Sequence, residues 1–322
     1  MLSKISIKNK YPILVALAFF IYISAATFIL VFAANLGPVI EHNSQTVNSL
    51  PNVTTLNTEK DFTTVEIDND KLFTGPLVLV NNHYACKFDG NELVSVLSNG
   101  SEKYKVADYD VKVNNEIMQP LDKMLSDFYD RTQNKNTMVS SAYRSAELQK
   151  ELYDEDHNGS NNNDSNQDEL VALPGYSEHQ TGYAFDLSLM DDNGIITEFD
   201  NEGEYSWILE NCANYGFILR YPQDKTAITE IGYETWHYRY VGNPHASYIM
   251  QNNLCLEEYI DLLKAYTLSN PLYITDNSLN NWMVYFAKAQ SGEKTQISVP
   301  KNTDYQICGN NNDGFIIAVK LS

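Results

Sequence analysis

The period of the apolar positions changes several times along this chain, and each change marks a different kind of element. From Tyr11 to Leu36 the chain carries no charge and is rich in Ile, Leu, Val, Phe and Ala. About 20 such residues in a helix cross the hydrocarbon core of a bilayer, so the run predicts a transmembrane anchor. It is longer than the 7–15-residue apolar stretch typical of a cleaved signal peptide, although Val31, Phe32 and Ala33 would make an acceptable cleavage site. Lys4, Lys8 and Lys10 precede it and the next charge after it is Glu41. That asymmetry leaves the amino terminus in the cytoplasm and exports everything that follows. Residues 37–61, rich in Asn, Ser and Thr with Pro38 and Pro51, predict a linker.

From Phe62 the pattern is that of short strands, at Phe62–Ile67, Leu77–Val80 and Lys105–Val113, read as an edge hairpin against the main domain. Ile117, Leu121, Leu125 and Phe128 then recur at helical spacing, predicting an amphipathic helix over 116–132. A strand at Thr137–Ser141 leads to a helix with Ser145 as N-cap, ending near Tyr153. Residues 154–169, nearly all Asp, Glu, Asn, Ser and Gly, predict a solvated loop. Asp154, Asp156, Asn158 and Gly159 open like a calcium loop, but Ser165 stands where the bidentate Glu is needed.

Further on, strands are predicted at Tyr183–Leu189, Phe217–Leu219 and Trp236–Val241. Helices are predicted at Glu204–Tyr215, with Gly216 as the residue after its end, and at Pro244–Asn252 and Glu257–Thr267. Beyond Asn270 only short strands remain, at Leu272–Ile274, Trp282–Ala287, Gln296–Val299, Tyr305–Cys308 and Phe315–Val319. The predicted fold class is α+β, with mixed helices around a small antiparallel sheet in residues 62–267. A stub and transmembrane helix (1–36) and the linker (37–61) precede it, and a small all-β appendage (268–322) follows.

Composition narrows the function. With 22 basic against 42 acidic residues the formal net charge is -20, and no basic stripe exists to neutralise phosphates, which excludes a nucleic-acid partner. The four cysteines, Cys86, Cys212, Cys255 and Cys308, form no Cys-x-x-Cys pair, and free buried thiols are expected.

The chemistry concentrates in two aromatic-rich stretches, Pro174–Asp186 and Glu234–His237. Of the six histidines, His42 lies in the linker and His157 in the polar loop, while His83 and His245 have no carboxylate motif beside them. That leaves His179 and His237. Either alone reads as a hydrogen-bonded structural histidine. With Asp186 they make two imidazoles and a carboxylate, the ligand set of a catalytic zinc site that keeps its fourth position for water. Gly182 lets the backbone turn sharply between His179 and Asp186. Glu234 is then a spare carboxylate able to take a proton from that water.

Ser177-x-His179-x-x-Gly182-x-Ala184-x-Asp186 followed by Glu234-x-Trp236-His237-x-x-Tyr240 resembles the double signature of the LAS family. These are zinc D-alanyl-D-alanine metallopeptidases, among them VanY-type D,D-carboxypeptidases, VanX-type dipeptidases and L,D-carboxypeptidases. Upstream, Ser140 to Ser145 with Gln149 resembles the family's arginine segment, and the likeness covers about residues 114–255. It implies His179, Asp186 and His237 as zinc ligands and Glu234 as general base. It also implies that Arg144 contacts substrate, as oxyanion stabiliser or carboxylate clamp, with Gln149 and Ser177 as companions. An arginine suits either role by bidentate bonding.

The expected function is a membrane-anchored, extracytoplasmic carboxypeptidase taking the terminal D-alanine from peptidoglycan stem peptides. L,D-cleavage of tetrapeptide stems is the first alternative. A non-catalytic wall-binding module that keeps the zinc fold is the second. A VanX-like role on the free dipeptide fits an exported domain less well, and the β-rich tail is a candidate contact for wall polymers.

Overall fold

A computed structural model describes residues 61–159 and 172–321. The predicted anchor at Tyr11–Leu36 and nearly all of the predicted linker lie outside them. Among the described residues no helix is long and apolar enough to cross a membrane.

The strands run in chain order as β1 (Phe62–Asp68), β2 (Leu93–Ser95), β3 (Lys105–Val106), β4 (Lys112–Asn114), β5 (Thr137–Ser141), β6 (Ala184–Met190), β7 (Ile196–Glu198), β8 (Phe217–Leu219) and β9 (His237–Tyr240). They continue as β10 (Leu272–Thr275), β11 (Asn281–Lys288), β12 (Lys294–Pro300), β13 (Tyr305–Gly309) and β14 (Gly314–Lys320). The main helices are α1 (Asn115–Thr132), α2 (Ala146–Gly159), α3 (Ser206–Asn211), α4 (His245–Gln251) and α5 (Leu256–Leu263).

The central sheet has the order β3-β5-β6-β9-β8, with β7 added to β6. It is larger than the small antiparallel sheet expected, and its β3–β5 edge is parallel. Helix α1 lies against it through Ile117, Met118, Leu121, Met124, Leu125 and Phe128, all buried. These residues recur every three or four positions, the stripe a helix needs to cover a sheet. Asn114 caps the helix by accepting from the Glu116 N–H. Phe185, Leu187, Phe217 and Tyr238 form the sheet's side of this core.

Several expected elements differ in detail. Leu77–Val80 is buried but forms no strand. Its carbonyl groups are taken by side chains instead, Val78 O by Arg239 and Leu79 O by Asn311. The Lys105–Val113 run breaks into β3 and β4. No edge hairpin forms, because β1 pairs along its whole length with β12. Helix α2 runs to Gly159, past Tyr153 and into the expected polar loop. The Glu204–Tyr215 helix keeps α geometry only over α3, with 3-10 turns at Gly203–Tyr205 and Cys212–Tyr215. Gly216 follows in the left-handed conformation, at φ 85°.

Beyond residue 268, β10-β11-β14-β13 form a four-stranded sheet. One face packs Ile274, Trp282, Val284, Ile316 and Ala318 against Ala246, Ile249, Leu256, Tyr259 and Ile260 of α4 and α5. The alternation on these strands buries both faces, the second against Phe62, Ile297 and Val299. The expected appendage thus shares its core with the rest of the described residues. All four cysteines are free, three of them buried.

Candidate active site

Three elements converge at one end of the central sheet. Strands β6 and β9 run antiparallel with Asp186 directly opposite His237, and cross-strand partners share a face. His179 arrives on a 3-10 turn, Glu178–Thr181, closed by Gly182 at φ 75°. A Cβ on Gly182 would stand 3.1 Å from the Asn114 backbone nitrogen. Left-handed φ and lack of space together require glycine there, and the sharp turn read from the sequence is present.

One donor atom each from His179, Asp186 and His237 lies within 4.8 Å of the other two. His179 Nε2 is 3.3 Å from Asp186 Oδ2, and His237 Nδ1 is 3.2 Å from Asp186 Oδ1. Tetrahedral ligands about 2.1 Å from a zinc ion stand about 3.4 Å apart, so these spacings suit that metal. The rings meet edge to face with centroids 4.9 Å apart. His179 Nε2 and Asp186 Oδ1 are buried without a hydrogen-bond partner, a costly arrangement unless something else satisfies them. Two nitrogens and one carboxylate oxygen fit zinc with one position open. No other cluster of three such groups exists among the described residues.

The two rings use different nitrogens. His179 turns Nε2 inward, and its Nδ1 lies 2.5 Å from the Ala142 carbonyl oxygen. His237 turns Nδ1 inward, and its Nε2 faces Glu178 Oε2 at 3.7 Å. A metal-bound imidazole is oriented by the acceptor behind it, so Ala142 and Glu178 stand as the two rear partners.

Glu234 is buried, with an oxygen 3.5 Å from His237 Nδ1. Burial is the main cause that raises its pKa, to about 7, the range in which a carboxylate accepts and returns protons near neutrality. Burial also lowers His179, to about 4, with Arg144 adding to it. In His237 burial opposes the charge, but the facing carboxylates of Asp186 and Glu178 outweigh it and lift the ring to about 9. Asp186 is held well below the usual carboxylate range: the two imidazoles overcome its burial.

Arg144 follows β5, its Nη2 3.8 Å from Asp186 Oδ2, and its buried Nε has no partner. It lines a cavity of about 180 Å³ together with Gln149, Ser177, the three clustered residues and Glu234. Gln149 donates through Nε2 to the Ala172 carbonyl, leaving a buried, unpartnered Oε1. Every site residue expected from the sequence is therefore in one place. A larger cavity, about 420 Å³, lies elsewhere against Glu116, His245 and Cys308, and those residues form no ligand cluster.

Residues 110–243 match the family described as VanY: D-alanyl-D-alanine carboxypeptidase. A D-alanyl-D-alanine carboxypeptidase of Enterococcus faecium is 33% identical over 261 residues, which cover 79% of this chain and 78% of that one. The chain belongs to the VanY family. The expectation of a peptidase is met by that membership. A bifunctional D-Ala-D-Ala dipeptidase and carboxypeptidase of Enterococcus gallinarum, VanXYC, is 41% identical over 132 residues, 40% of this chain and 68% of its own. The solved vancomycin-resistance D,D-dipeptidase VanXYg, in complex with a D-Ala-D-Ala phosphinate analogue, superposes with a TM-score of 0.70. It is 31% identical and covers 80% of this chain and 99% of its own.

The sequence reading missed the residues behind the site. Arg220 and Arg239 are wholly buried, and Glu178 nearly so. Tyr221 lines the cavity with its ring 4.9 Å from that of His237. A signal was present: Arg220 follows the apolar run Phe217–Leu219, and Arg239 sits between two tyrosines of β9. Charges in such strands need buried partners.

Proposed function

We propose that this VanY-family chain is a zinc carboxypeptidase that removes the C-terminal D-alanine from peptidoglycan stem peptides. The observation that carries this reading is the cluster of His179, Asp186 and His237 donor atoms within 4.8 Å, with the Glu234 carboxylate 3.5 Å from one of them.

His179 through Nε2, Asp186 through its carboxylate and His237 through Nδ1 would hold the ion. Zinc there supplies Lewis acidity, acidifying water and polarising a carbonyl. Glu234 takes a proton from the attacking water, with a pKa of about 7 in its buried setting, and returns it to the departing amine. Arg144 keeps a buried Nε unpartnered at the cavity wall, where it binds the substrate's terminal carboxylate or the developing oxyanion. A guanidinium forks onto two oxygens as an ammonium cannot. A fixed cation beside the reacting centre selects chain ends, since an internal peptide bond offers no carboxylate. Gln149 and Ser177 line the same cavity and complete the substrate contacts.

The uncharged run at Tyr11–Leu36, preceded by Lys4, Lys8 and Lys10 and followed first by Glu41, supports an anchored enzyme whose catalytic part works outside the cytoplasm, where stem peptides are exposed. The experiment is to give full-length protein pentapeptide and tetrapeptide stems side by side, with and without a chelator, and read the products by mass. Zinc-dependent release of D-alanine from the pentapeptide is expected. Release from the tetrapeptide alone would make the enzyme an L,D-carboxypeptidase, and release from neither would favour a binding module.

A further inference from the structure

Glu178, Arg220, Arg239 and Glu257 form a buried quartet directly behind His237. Glu178 Oε1 takes both guanidiniums, Arg220 Nε at 2.8 Å and Arg239 Nη1 at 2.7 Å. Arg220 then forks onto Glu257, Nη1 to Oε2 at 2.9 Å and Nη2 to Oε1 at 2.6 Å. Two cations and two anions balance. The side chains of Glu178, Arg220 and Arg239 are wholly buried, and that of Glu257 is 11% exposed.

Such a set is hard to justify by stability alone, because apolar residues of similar volume usually serve a core as well or better. Arg239 Nη1 meets Glu178 as an ion pair without a hydrogen bond, and one carboxylate oxygen is left over. Glu178 Oε2 has no hydrogen-bond partner, and neither has His237 Nε2, which it faces at 3.7 Å. A shift of about 0.8 Å brings the two to ordinary bonding distance. β9 places Arg239 on the same face as His237, so the clamp and the ring it serves share one strand.

We propose that Glu178 is a positioning residue for the metal centre. Held by the two arginines, it accepts from His237 Nε2–H and so reserves Nδ1 for the ion. The inference rests on the zinc reading above. It makes the two histidines unequal: His179 is backed by a neutral carbonyl, His237 by a carboxylate, the stronger acceptor. It also carries the site beyond the matched residues 110–243. Glu257 lies on α5 and accepts from Asn81 Nδ2 at 3.0 Å, and Arg239 Nη2 donates to Pro76 O and Val78 O at 2.8 and 2.9 Å. The otherwise irregular 76–81 segment and the start of α5 are the outer braces of the clamp.

The test is zinc affinity of the full chain, measured by competition with a chromophoric chelator. Glu178→Gln should bind zinc about 10–100-fold more weakly, and Glu257→Gln, one partner further out, less so. Unchanged affinity in folded Glu178→Gln overturns the inference. A second measurement needs no substitution. In zinc-loaded protein with 15N-labelled histidines, His237 should be bound through Nδ1 with a proton on Nε2, and His179 through Nε2. Attachment of His237 through Nε2 overturns the inference just as directly. An unsubstituted chain that takes up no zinc would instead overturn the zinc reading on which the inference rests.

Discussion

On its inner side His237 presents Nδ1 to Asp186 at 3.2 Å and to Glu234 at 3.5 Å, beside buried atoms of His179 and Asp186 that lack hydrogen-bond partners. On its outer side Nε2 faces Glu178, whose other oxygen is engaged by two arginines, one of them forked onto Glu257. The inner group is built with polar capacity to spare, and the outer group is neutralised by charge pairing, leaving only Glu178 Oε2, His237 Nε2 and Arg239 Nη1 without hydrogen bonds. Unsatisfied buried donors and acceptors are where a protein binds something, whereas a neutralised, hydrogen-bonded quartet is rigid and holds its neighbours still. A site that must accept metal and substrate needs both, and here they meet on the two nitrogens of one ring.

Substitutions that strike one side but not the other test the contrast. The largest effect is expected from Glu234→Gln, which keeps shape and removes the base: kcat should fall by about 10³-fold with zinc content unchanged by elemental analysis. Near-normal turnover would remove Glu234 from its role. Asp186→Ala should abolish stoichiometric zinc at equal protein concentration, since two nitrogens do not make a closed site. Retention of one zinc per chain would show that the metal lies elsewhere. Arg144→Lys keeps the charge but loses the fork, and kcat/KM on the pentapeptide should drop by about 10–100-fold. An unchanged value would mean that Arg144 does not touch the substrate.

On the outer side the expected loss is in stability. Arg239→Met leaves Glu178 with one cation fewer in a buried place and should cost about 3–5 kcal/mol, read as a lower denaturant midpoint. A midpoint within error of the unsubstituted chain would mean the quartet is not the braced unit described.

His245 sharpens the comparison, being buried like the other two but with a neutral partner, the Tyr259 hydroxyl at 2.8 Å. Burial alone lowers its pKa to about 3. Below the ordinary histidine value of about 6.5 the unfolded chain therefore binds a proton that the folded one refuses. Stability from this residue is full above about pH 6.5 and is lost as the pH falls towards 3. His245→Gln should make the acid side of the stability–pH curve shallower in that window, the smallest of these effects. An identical slope would show the ring is accessible to protons when folded.

The inner site was legible because its chemistry lies in short local patterns. The Ser177–Asp186 and Glu234–His237 segments carry the histidines, the carboxylates and the turn glycine in fixed order, and Gly182 does what its spacing implied. Arg144, Gln149 and Ser177 also reach the cavity they were expected to line. Helix α1 and the strands β5, β6, β8 and β9 follow equally local periodicities. Where the reading failed, the missing information was non-local. Leu77–Val80 has a strand's pattern, but distant side chains, Arg239 and Asn311, take its carbonyl groups in place of a neighbouring strand. Phe62–Asp68 is a strand as expected, yet its partner Lys294–Pro300 lies at the far end of the chain.

Residue order thus disclosed which side chains gather at the cavity, most of the helical and extended segments that bear them, and the acidity of the chain. Each of these depends on neighbours a few positions away or on plain counting. Only the folded chain decided that Asp186 sits across from His237, that Glu178 turns to the rear of that ring, and that the last strands share a core with α4 and α5. Ion pairs and sheet registers join residues far apart along the chain, and an arginine inside an apolar strand does not disclose which distant carboxylate will neutralise it.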